Sequence, residues 1–146
     1  LTVAEQADLL LGTNRPEAAA QLYQEHLSQH PDDAAAIRAL AVALLKSGRP
    51  QEAVAVAAMA YDKDPSGLAI RPIPTALFSD PDDLRAALNR AVTYANRVNT
   101  ASAWLLVATL MQAEGRDRVA ARMLDRAIAL GLSERVASAM AAELSG

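Results

Sequence analysis

Segments 34 residues apart read alike along most of this 146-residue chain. A chain with that period folds by stacking one small supersecondary unit on the next. Asn14-Arg15-Pro16-Glu17-Ala18-Ala19 aligns with Gly48-Arg49-Pro50-Gln51-Glu52-Ala53. The same offset carries Ala7 to Ala41, Leu10 to Leu44, Leu11 to Leu45, Pro31 to Pro65 and Ala53 to Ala87. After a slip of one residue, Ala87 corresponds to Ala120. Composition says what the unit is made of: 52% of residues are hydrophobic but only 3% aromatic. A core of small side chains fills space only where backbones approach closely, as helices packed on helices do. Ala and Leu are also the strongest apolar helix formers, and no stretch alternates with the period of a strand. The chain is therefore expected to be all-α.

The last unit reads Trp104, Val107, Ala108, Met111, Gly115, Ala120, Leu124 and Ala127, with Leu132 at its close. The second supplies Ile37, Leu40, Ala41, Leu44, Gly48, Ala53, Ala57, Ala60 and Pro65, and the first Ala7, Leu10, Ala19, Tyr23 and Pro31. This pattern resembles the tetratricopeptide repeat, with small residues in both helices, a Gly-centred turn and a closing Pro. The resemblance implies a right-handed α-α superhelix of helical hairpins with a C-terminal capping helix. Units then fall at about 1–33, 34–67, 68–100 and 101–134, in one helical-repeat domain. Ala41 and Ala53 stand where the helices of a hairpin come closest. Ala60 and Ala127 stand where a second helix meets the next unit. Trp104 is expected to be a buried anchor.

Boundary signals fit this division. Asp32 follows Pro31 and precedes an apolar run, as an N-cap does. Asp80-Pro81-Asp82-Asp83 supplies a cap, a first-turn Pro and two acids at the positive end of a helix, predicting a helix over 81–97. A final helix over 133–144 places Val136, Met140 and Leu144 on one face, as a cap on the last apolar surface. The third unit departs from the pattern. Arg71-Pro72-Ile73-Pro74 cannot be helical through both prolines, so the first helix of that unit gives way to an extended stretch with one helical turn at 75–78. Something must fill the gap. Phe78, Ile70, Ile73 and Leu77 are the fillers at hand, with Tyr94 growing into the space from a position normally Ala. The alternative makes the Pro-rich segment the wall of a groove.

In the family the first helices line a concave groove that holds a peptide or a partner's helix. Carried over, partner-binding positions here are Arg38, Val42, Leu45 and Lys46 in the second unit and Leu105, Thr109 and Gln112 in the last. Ser102 accompanies the last set, and Asp8 and Leu11 correspond in the first. Val42 stands where some members use an Asn to hold a C-terminal carboxylate. An acidic segment could still pair with Arg38 and Lys46.

Other chemistry finds little support. His26 and His30 are spaced i, i+4, but two ligands without a third do not make a zinc site. No cofactor or metal is expected. Arg118, Arg122 and Arg126 form a stripe that Arg85 extends, yet stacking aromatics are scarce and acids interrupt it. No nucleotide loop or nucleophile elbow is present, so no enzyme is expected. Cysteine is absent, and no apolar run is long enough to span a bilayer. Residues 1–83 carry twelve acids and six bases, and 84–146 five and eight, an asymmetry able to orient docking. The excess of Arg over Lys suggests a GC-rich bacterial genome, and Leu1 at the start suggests a piece of a larger protein. The sequence reading is thus a scaffold binding a protein or peptide. One alternative is a structural or oligomerisation domain, packing on a neighbouring domain or as a homo-dimer. The other is a nucleic-acid accessory using the Arg stripe.

Overall fold

The computed structural model describes residues 1–145. Among them are nine α-helices, one 3₁₀ turn and no strand. Three hairpins are regular: α1 (Val3–Gly12) with α2 (Pro16–Gln29), α3 (Ala34–Lys46) with α4 (Pro50–Lys63), and α7 (Ala101–Ala113) with α8 (Asp117–Ala129). Each hairpin reverses through one left-handed residue, Asn14, Gly48 and Gly115, with φ of 62°, 78° and 76°. Glycine takes that conformation without strain and asparagine nearly so. Side chains fix the helix starts. Thr2 and Glu5 form a reciprocal capping box on α1, Asp80 accepts the Asp83 N–H at 2.8 Å, and Thr100 caps α7. The cap of α3 is Asp33, not Asp32. The chain makes one more turn residue after Pro31, with the Asp33 N–H on the His30 carbonyl at 3.2 Å. That leaves Asp32 free to reach Lys63 at 2.9 Å.

The alanines lie where hairpin packing needs them. Ala41, Ala53, Ala60, Ala120 and Ala127 are all buried, as are Trp104 and Tyr61. The third unit is rearranged. After α4 comes α5 (Pro65–Ile70), a short helix that the two prolines do not forbid because it ends before them. Then an extended strap leads to the 3₁₀ turn Thr75–Leu77 and to α6 (Pro81–Val98). With no full first helix here, α7 rests on α4 in its place, and α6 lies on α7 and reaches α3. The helix α9 (Glu134–Ser145) covers α8, with Val136, Met140 and Leu144 buried, and also packs on α5.

Filling of the gap is selective. Ile73, Leu77 and Phe78 are buried. Ile70 is 64% exposed, because α5 turns Leu68 and Ala69 inward and Ile70 away. Tyr94 stays half-buried on α6 beneath Arg97 rather than growing into the core. As a result α3 and α7 become central helices. Every residue of Ala36–Lys46 and of Ala103–Gln112 is buried.

Candidate partner-binding groove

The seven residues expected to face a partner sit in two sets, Arg38, Val42, Leu45 and Lys46 on α3 and Leu105, Thr109 and Gln112 on α7. The structure buries all seven. For Arg38, Lys46 and Gln112 the burial has a simple cause: the rearranged third unit packs on them. Arg38 Nη1 donates to the Leu68 carbonyl at 3.0 Å and to the Tyr61 hydroxyl at 3.1 Å. Eight residues on, Lys46 Nζ donates to the Leu11 carbonyl at 2.9 Å and the Leu77 carbonyl at 3.3 Å. It also pairs with Asp83 at 2.7 Å. Eight residues of α3 rise about 12 Å, a distance the segment from Leu68 to Leu77 easily spans. Both ends of the strap are therefore tied to one face of α3, and Val42 lies between the ties. On α7, Gln112 Nε2 donates to the Ala69 carbonyl at 2.8 Å, and Thr109 bonds the Leu106 carbonyl of its own helix.

These contacts are the ones an extended guest peptide would make: backbone carbonyls held by cationic and amide side chains, apolar side chains filling the space between. The guest is the chain itself. Lys46 also lies over the Phe78 ring at 5.5 Å, and Arg90 of α6 donates to the Leu45 and Lys46 carbonyls at 3.3 and 2.7 Å. The electrostatics are uneven. Lys46 has a carboxylate, whereas Arg38 has none within 4.0 Å among the described residues and rests on neutral oxygens and the Tyr61 ring. Burial raises the Tyr61 hydroxyl pKa, against the pull of Arg38, so it stays protonated. Burial would also raise the Asp83 carboxyl, but Lys46 and the Ser79 N–H outweigh it and hold the group below the ordinary carboxylate value.

The remaining predicted positions are explained locally. Leu11 is buried, Ser102 is half-buried, and Asp8 accepts the Tyr23 hydroxyl at 2.5 Å. His26 bonds Asp33 at 2.8 Å, tying α2 to the cap of α3, and its ring lies 4.8 Å from that of His30. No group of three potential metal ligands occurs among the described residues. The Arg stripe is divided: Arg126 lies 4.7 Å over Trp104, and Arg85 pairs with Glu114 at 2.9 Å. The overlooked signal was in α3 and α7 themselves. AAAIRALAVALLK and ASAWLLVATLMQA are apolar around the whole helix, and such helices are enclosed on every side.

Residues 5–67 match a family model described as tetratricopeptide repeat. Over those residues the chain is similar to the tetratricopeptide repeat. No curated protein and no solved structure matches the chain. The family match ends inside α5, where the regular hairpins give way to the strap. Tetratricopeptide repeats generally mediate protein–protein interaction and are not catalytic. Beyond the matched residues, the segment that follows α5 departs from the regular hairpins and packs on α1 and α3.

Proposed function

We propose that the chain is a protein-interaction module whose partner engages the outer faces of the array. The supporting observation is the burial of Arg38, Val42, Leu45, Lys46, Leu105, Thr109 and Gln112, with Arg38, Lys46 and Gln112 bonded to backbone carbonyls of the chain's own third unit. The family relationship supplies the interaction role, and the closed face directs it outward. A partner seated on α3 and α7 would first have to displace residues 65–80, exposing Ile73, Leu77 and Phe78. Exposing each of these side chains costs about 1.5–3 kcal/mol. The module fits within a larger protein, with a neighbouring domain among the surfaces it can serve.

Hydrogen exchange of the chain with and without a retrieved partner distinguishes the two modes. Outer-face binding protects exposed helices and leaves the amides of residues 68–80 unchanged. Faster exchange of those amides on partner addition would reject outer-face binding in favour of the groove.

A further inference from the structure

A cleft of about 500 Å³ opens between the α3–α4 turn and the middle of α6. Leu45, Pro50 and Tyr94 form its apolar side, and Asn89, Arg90 and Arg97 its polar side. No acidic residue lines it. Neither arginine lies within 4.0 Å of a carboxylate among the described residues. Arg90 is fixed in place, because its Nη1 donates to the last-turn carbonyls of α3, Leu45 and Lys46, the second of which the helix itself leaves unsatisfied. Its Nε and Nη2 have no acceptor among the described residues, and Arg97, laid on the Tyr94 ring at 5.3 Å, has none either. A guanidinium fork held in position with free donors is the group that recognises carboxylates. The arginines of α8 differ: Arg118 and Arg122 project from an open surface beside Asp117 and Asp125.

We propose that this cleft binds an acidic segment of a partner protein, the carboxylates on Arg90 and Arg97 and an apolar side chain on Tyr94. Spacing sharpens the ligand. Residues seven apart on α6 are separated by about 10 Å along the axis, which matches two acidic residues three apart in an extended segment at about 3.3 Å per residue. Tyr94 falls between the two arginines in sequence, so the apolar residue falls between the two acids. The proposal rests on the reading of the chain as an interaction module, but the two fail differently. A partner footprint away from the cleft removes the site and leaves the module. Peptide binding at the cleft with no partner retrieved removes the module and leaves the site.

The test is an NMR titration of the isotope-labelled chain with a synthetic peptide carrying two glutamates three residues apart and a leucine between them. Saturable shifts are expected at Gly48, Asn89 and Thr93, with affinity falling about tenfold in Arg97→Gln and weakening as salt rises. Arg97 is exposed, and a melting curve checks that the variant folds. Equal binding of the glutamine counterpart, shifts centred on Arg118 and Arg122, or no effect of Arg97→Gln would each overturn the site. So would inorganic phosphate binding as tightly as the peptide, which would mark a simple anion site. Sedimentation that shows self-association abolished by Arg97→Gln would make a second copy the occupant and likewise overturn the proposal.

Discussion

Among single residues, two buried cations, Arg38 and Lys46, and the acid that serves one of them hold the third unit on α3. Lys46 and Asp83 have side chains only 3% and 12% exposed. Removing one member of such a pair leaves a buried charge, which costs about 3 kcal/mol or more. Asp83→Asn should therefore lower stability by about that amount in urea melts at pH 7. The same pair sets a pH dependence. Asp83 binds its proton more weakly folded than unfolded, since its pKa is held below the ordinary value. Its contribution is thus complete above the ordinary carboxylate pKa and is lost as pH falls through the lowered one. Urea melts from pH 7 down to pH 3 should show a fall that is smaller in Asp83→Asn. Small and large residues test the packing separately. Ala53→Leu or Ala120→Leu should cost about 1–3 kcal/mol by overpacking, and Trp104→Ala roughly 3–5 kcal/mol by leaving a cavity, both read by thermal melts.

At the scale of elements, the strap is the part that matters, and Gly12 tests it. A Cβ added at Gly12 would collide with the Ala76 carbonyl oxygen, so Gly12→Ala must push the 3₁₀ turn away from α1. We expect a loss of about 1–3 kcal/mol and faster hydrogen exchange in residues 75–78, while α7 and α8 keep their protection. Much of this element structure was legible beforehand. Ala41, Ala53 and Ala120 marked the close contacts, Asp80-Pro81 marked the start of α6, and the prolines at 72 and 74 marked the break. The fate of the groove was legible only in the all-round apolar sequences of α3 and α7, not in the groove positions themselves. Carrying groove positions across a repeat assumes that each successive unit supplies its own first helix. Once one is lost, the vacated face becomes apolar surface that the chain itself covers. Arg38 and Lys46 look identical in sequence whether their donors meet a partner or the carbonyls of Leu68 and Leu77. The helix α5 was hidden for a different reason: at six residues it is too short to show periodicity.

At the scale of the whole molecule, the third unit turns a linear stack into a cross-braced one. In a simple array each unit touches only its neighbours, and cooperativity weakens with length. Here α5 packs on α9, the 3₁₀ turn on α1, and α6 on α3 and α7, so distant units share contacts. Unfolding should be a single transition, with Trp104 fluorescence and helical circular dichroism giving coincident curves. The proposed outward orientation of the interaction role rests on the same bracing, which ties both Arg38 and Lys46 of α3 to the chain's own carbonyls. Thiol labelling tests that closure most directly. The chain has no cysteine, so Val42→Cys places one small probe under the strap and Arg118→Cys places another on the exposed surface of α8. A maleimide should modify the first at least about a hundredfold more slowly than the second, at a rate governed by opening of the fold. Labelling of both at the same rate would mean that the face of α3 is open in solution, contradicting the account.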